Sequence, residues 1–167
     1  QNINFFHNHD LEKFVYCQYN IVDSIDFVDT NQDHMDYRSP LIKHWNSKAL
    51  LEDECDIEIP PLAFNTGIVG ISKKTCEQLD YFSDINQVLD KMTELKEDPY
   101  SMYPPKMRDS FGYDNETIFG YKIFKNDVPY KNINQRWHCR FDNFNPTVNT
   151  LNNKKPIIIH FINKKFE

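Results

Sequence analysis

The chain has 167 residues, a net charge of −6, and ordinary hydrophobic (40%) and charged (26%) fractions. That length favours one domain with a proper core, and the acidic balance argues against a general nucleic-acid binder, which is usually basic. No apolar run is long enough to cross a bilayer, and no signal peptide is visible. Aromatics at 14%, with 13 Phe and 9 Tyr, point to a core or cleft built from rings. The four cysteines (Cys17, Cys55, Cys76 and Cys139) are widely spaced without a C-x-x-C, which is neither a zinc pattern nor a dense disulfide framework. Reduced thiols in a cytosolic setting are the default expectation, with two disulfides left open.

In chain order, residues 2–6 and 13–19 ("KFVYCQY") read as short strands separated by "HNHD". Residues 20–58 are acidic and irregular and receive no assignment. The segment "PPLAFNTGIVGISKKTCEQL" begins as a strand, with Phe64, Ile68, Val69 and Ile71 as β-formers. Two of the chain's four glycines, Gly67 and Gly70, fall within it. A glycine inside a strand marks a bulge or a close backbone neighbour. We expect Gly67 to admit a ligand and Gly70 to serve sheet packing; a bulge that serves packing alone is the plainer alternative. Ser72 is placed to cap a helix running to about Leu95, with Leu79, Phe82, Ile85, Val88, Leu89, Met92 and Leu95 on one face. A proline-bearing loop follows over 97–113. Residues 114–125 ("DNETIFGYKIF" and its neighbours) read as a second helix, with Asp114 or Asn115 as cap and Glu116 in the first turn. Polar loops lead to "PIIIHFI", whose run Ile157–Ile159 reads as a centrally buried strand. The expected fold is therefore α/β, a mixed sheet flanked by helices, in one domain over 1–167. Ligands in such sheets gather at strand ends.

Four segments carry chemistry in a recognisable order: "FNTGIVGI", "GYDNETIFGYKIF", "YKNINQRWHCRF" and "IIIHFINKKF". In this order they resemble the C-terminal half of GT-A (nucleotide-diphospho-sugar transferase) glycosyltransferases, above all the retaining family of glycogenin and bacterial lipopolysaccharide galactosyltransferases. The resemblance covers about residues 60–167. It implies transfer of a hexose from a nucleotide sugar, by expectation a UDP-sugar, to a hydroxyl acceptor with Mn²⁺ or Mg²⁺ as cofactor. It also implies roles: Asn65 and Gly67 line the donor-sugar pocket, and Asp114 and Asn115 stand beside the anomeric carbon. Trp137 takes the aromatic position, His160 ligates the metal, and Lys164 or Lys165 approaches the diphosphate. The chemistry suits these residue types. Amides and carboxylates fix sugar hydroxyls, and cations offset the charge of a departing diphosphate.

The chain departs from that pattern in places. "KKFE" stands where the family has K-P-W, and Asn115 replaces a glutamine. The family's metal-binding D-x-D has no clean match: Asp26 and Asp29 are three apart, and Asp56-Ile57-Glu58 lies too close to the glycine-bearing strand. With Gln1 at the start and 1–59 poorly assigned, the fold is expected to be incomplete at its N-terminal side and the chain a piece of a longer protein. Each residue also has a plainer role. His160 suits a core histidine, Asp114 a helix cap, Trp137 packing, and Lys164 and Lys165 a solvated segment. Two other functions stay open. His7, His9 and Asp10, with His34 or His44, resemble the H-x-H-D ligand set of metal-dependent hydrolases. The cleft could also serve a non-catalytic sugar or nucleotide binder.

Overall fold

A computed structural model describes residues 9–22, 40–52, 59–103, 105–112, 114–142 and 155–162. Strand β1 (Val15–Ile21) lies between β2 (Leu62–Gly70), antiparallel to it, and β3 (Tyr130–Asn132), parallel to it. Having a neighbour on each side, β1 buries four successive residues, Val15 to Gln18, so it reads as an apolar run rather than an alternation. A second sheet pairs β4 (Cys139–Asp142) with β5 (Ile159–Ile162) in parallel. The described residues are thus α/β with a small mixed sheet and helices.

The register of β1 against β2 breaks once. Cys17 faces Val69 but the next residue, Gln18, faces Asn65, so Thr66, Gly67 and Ile68 stand outside the ladder. The bulge expected from the glycines is there. None of the described glycines has positive φ, so Gly67 is not needed for backbone conformation.

Five helices complete the described fold. Helix α1 (Pro40–Glu52) starts with proline, which is pre-set for a first helical turn. It is buried almost all round and packs on β2 and on three helices. Helix α2 (Lys73–Leu79) opens with a capping box: Thr75 N donates to Ser72 Oγ (3.2 Å) and Ser72 N to Thr75 Oγ1 (3.0 Å). Helices α3 (Ile85–Glu97) and α4 (Pro105–Ser110) follow. Helix α5 (Asn115–Lys125) is capped by Asp114 and lies between α1 and the sheet. One side of α5 sends Ile118 and Tyr121 into a core with Ile42, Trp45 and Leu50 of α1. Its other side sends Phe119 and Ile123 against Val15, Cys17 and Phe64 of the sheet. Rings meet edge to face there, with Phe64 5.6 Å from Phe119 and 5.2 Å from Tyr130. Gly120 sets the close approach, since a methyl group in its place would stand 3.0 Å from Ser47 Oγ and 3.3 Å from Phe64 Cδ2.

Three expectations need correction. The long helix from Ser72 is two helices. Asp80, with φ of 47°, closes α2, and a turn intervenes before α3. The break is held from a distance: Lys122 of α5, 1% exposed, donates to Asp80 O (2.9 Å) and pairs with the Asp84 carboxylate. Phe82 lies in that turn and is 78% exposed, whereas Leu79, Val88 and Met92 are buried as expected. The proline-bearing loop expected over 97–113 contains α4. The apolar run before His160 is not a central strand: among the described residues β5 pairs with β4 alone, and Ile158 and Ile159 stay 40% and 39% exposed. The strand expected at 2–6 lies outside the described residues.

Asp84→Ala leaves the Lys122 ammonium buried without its counter-charge, a change that costs about 3 kcal/mol in such settings. Lys122→Met removes the charge itself, and Asp84 keeps Lys125 at 3.2 Å. Urea denaturation should therefore show a clearly larger loss for Asp84→Ala than for Lys122→Met. Equal losses would mean that the ion pair does not organise the turn.

Candidate functional site

The β2 bulge frees backbone N–H groups that must find acceptors. Two side chains supply them. Gly67 N donates to Asn65 Oδ1 (3.0 Å), and Thr66 N donates to Glu116 Oε1 (3.2 Å). The other oxygen of Glu116 pairs with Lys43 of α1, both side chains being largely buried. Asn115 Nδ2 donates to Thr66 Oγ1 (2.6 Å). The first turn of α5 is thereby stitched to the bulge.

Asp114 caps that turn. Its Oδ1 accepts from Glu116 N (3.2 Å) and its Oδ2 from the Thr117 hydroxyl (2.7 Å). Both oxygens have partners within the helix, so the capping role read from the sequence is realised.

His160 reaches the same bulge from β5. A methyl group on Gly67 would overlap the His160 ring at Cε1 and Nδ1, so the space that glycine leaves is taken by this imidazole. Behind it lies His138, wholly buried just before β4, with Nε2 2.9 Å from His160 Nδ1. The other His138 nitrogen, Nδ1, is buried with no hydrogen-bond partner. Burial, and then the neighbouring His160 and Arg140, push the His138 pKa down to about 4.

Of the residues singled out from sequence, Asn65, Gly67, Asn115 and His160 meet at one bulge, with Asp114 at the helix end beside it. Trp137 does not join them as an open platform. It is 8% exposed, meets the His9 ring edge-on at 6.0 Å, and borders an apolar cavity of about 280 Å³ with Ile68 and Ile158. Lys164 and Lys165 lie outside the described residues. Sequence reasoning missed Thr66 and His138 and read Glu116 only as a favourable first-turn acid.

The metal sites read from sequence fare differently. Among the described residues no three His, Cys, Asp or Glu side chains group as metal ligands. The His138 imidazole stands beside His160 and engages its Nδ1. Among the described residues, these donors do not by themselves make up a Mn²⁺ or Mg²⁺ site. The described members of the H-x-H-D set do not group as metal ligands either. The His9 ring packs on Tyr16 at 4.5 Å, Asp10 pairs with Lys13, and His44 is buried on α1. His7 and His34 lie outside the described residues.

An open groove of about 830 Å³ runs past His9 and Tyr16 along residues Lys131 to Arg136. It holds two cations, and none of its described lining residues is acidic, opposite in sign to the chain as a whole. No described helix is long and apolar enough to cross a membrane. Comparison with protein-family models, with curated proteins and with solved structures gives no match for this chain.

Two outcomes are expected. Gly67→Ala must expel the His160 ring from the bulge, an overpacking that costs about 1–3 kcal/mol. In a His160→Ala background the same substitution should cost much less, and a double-mutant cycle checks this. Stability should also fall as pH drops. His138 binds its proton near 6.5 when unfolded but near 4 when folded, so between those values the unfolded chain holds more protons. The His138 contribution is complete above pH 6.5 and lost by about pH 4. His138→Gln should make the acid limb of a stability–pH curve shallower.

Proposed function

We propose that the bulge of β2 binds a nucleotide sugar, and that the protein passes its hexose to a hydroxyl acceptor. One observation carries this reading: residues from three of the motifs that resemble GT-A glycosyltransferases, far apart in sequence, meet at this bulge. The amides are already polarised for a sugar. Asn65 uses Oδ1 on Gly67 N, which turns its NH₂ group to donate. Asn115 uses its NH₂ group on Thr66, which leaves Oδ1 to accept. A sugar hydroxyl both donates and accepts, so such a pair can fix a hexose in one pose.

In the reaction the acceptor oxygen bonds to the anomeric carbon as the bond from that carbon to the phosphate oxygen breaks. The nucleoside diphosphate leaves with the electron pair, and the acceptor proton passes to the leaving phosphate. Attack on the face that the diphosphate leaves is what the resemblance implies. If Mn²⁺ or Mg²⁺ is bound, it would offset the charge of the departing diphosphate.

Thermal shift against UDP-glucose, UDP-galactose and other nucleotide sugars, each with and without Mn²⁺, tests the reading. A ligand at a hundred times its Kd stabilises by about 2.7 kcal/mol. At least one nucleotide sugar should raise Tm, and Asn65→Ala or Asn115→Ala should reduce the shift by removing a charge-free hydrogen bond of about 1 kcal/mol. No response to any nucleotide sugar would overturn the proposal, and binding without release or transfer of the sugar would leave a binder rather than a transferase.

A further inference from the structure

Strand β1 buries an amide beside the bulge. Gln18 is 5% exposed, and its Oε1 is buried with no hydrogen-bond partner. Buried polar atoms are nearly always paired, and one that is not marks a place where strain is stored or a further molecule is met. Gln18 is the first residue of β1 past the register break, and it stands directly opposite Asn65. Residues opposite each other on antiparallel strands point to the same face, with Cβ atoms about 5 Å apart. The next pair, Tyr19 and Phe64, turns the other way, onto the core under α5. Gln18 and Asn65 therefore share the face that meets β5. A methyl group on Gly67 would stand 3.1 Å from Asn65 Oδ1 and overlap the His160 ring of β5.

The two amides are complementary but do not bond to each other. Asn65 Oδ1 is taken by Gly67 N, which leaves the Asn65 NH₂ group to donate, and Gln18 offers an oxygen that accepts. A hydroxyl accepts one hydrogen bond and donates another, so a single hydroxyl satisfies both. We infer that Gln18 is a further sugar-binding residue, whose Oε1 accepts the hydrogen of a hexose hydroxyl while the oxygen of that hydroxyl accepts from Asn65 Nδ2. The Gln18 side chain is unbranched, and a turn of its amide presents Oε1 to the bulge. An open buried acceptor weakens the free chain, and the ligand that fills it restores the loss on binding. The inference rests on the nucleotide-sugar reading for the source of the hydroxyl. A water molecule offers the same chemistry, and the experiment separates the two.

The test compares Gln18→Met with wild type, since methionine keeps the length of the side chain and removes the acceptor. Without ligand, its urea midpoint should equal or exceed that of wild type. A structural glutamine would instead lose stability on this change. In calorimetric titration Gln18→Met should raise the Kd of the nucleotide sugar about fivefold, the loss of one neutral hydrogen bond, and leave the Kd of UDP unchanged. In the wild-type chain the Gln18 side-chain amide resonances should move on adding the nucleotide sugar and stay in place with UDP, a readout that needs no variant. A lower urea midpoint, or resonances that ignore the sugar, overturns the inference. An unchanged Kd for the nucleotide sugar also overturns it, and leaves water as the only source of the hydroxyl. A wild-type chain that binds no nucleotide sugar overturns the reading beneath the inference as well, and is told apart because it shows before any residue is changed.

Discussion

The carboxylate of Glu116 is the joint on which this arrangement depends. Three residues leave the β1–β2 ladder together, and a sheet tolerates that only if the released N–H groups are met elsewhere. Glu116 meets one of them at Thr66, from the first turn of α5, where the helix dipole favours an acid. Its second oxygen draws in Lys43 of α1. One side chain therefore fixes a strand, and two helices against that strand. Asn115, the residue before Glu116, donates to the Thr66 hydroxyl from the same turn.

Shape does the rest. The bulge projects toward β5, and the absent side chain of Gly67 sets how near the second sheet comes. His160 fills the gap and His138 backs it, so a contact between the sheets is made of imidazoles instead of aliphatic carbon. Such a contact is costly unless its polar atoms are paired, and the unpartnered His138 Nδ1 shows that the pairing is incomplete. Aliphatic residues would pack here at less cost, which is why the pair is read as serving the site and not merely the core.

Legibility followed the range of each signal. The Ser72 cap, the Asp114 cap, β1 and the bulged β2 were readable because their determinants lie within a few residues. Helix α1 was not, because it is buried all round and mixes His44, Asn46 and Ser47 with Leu41, Ile42 and Trp45, leaving no clear apolar stripe. Pro40 at its first position was the available signal. The split of the long helix was invisible because Lys122 of α5 holds it from across the fold. The exposed run before His160 misled for a simpler reason: isoleucines look alike whether or not a neighbour covers them. At the site, Asn65, Gly67, Asn115 and His160 were marked by motif order. Glu116, Thr66 and His138 gain their meaning only from partners that folding brings to them.

What the site can do follows from which groups are already occupied. Asp114 binds the helix it caps, and Glu116 is divided between Lys43 and Thr66, so the two carboxylates at the bulge are structural. A hydrolase that activates water needs a base within hydrogen-bond reach and with a pKa near its working pH. A buried histidine pushed to about 4 and two engaged carboxylates are poor candidates for that work. Neutral amides are instead suited to holding a polyhydroxylated ligand in one pose. On the proposed reading, acceleration then comes from orientation and from a leaving group that takes its own proton. Such chemistry places little demand on a protein base, which is consistent with a site whose charges are committed to holding the fold together.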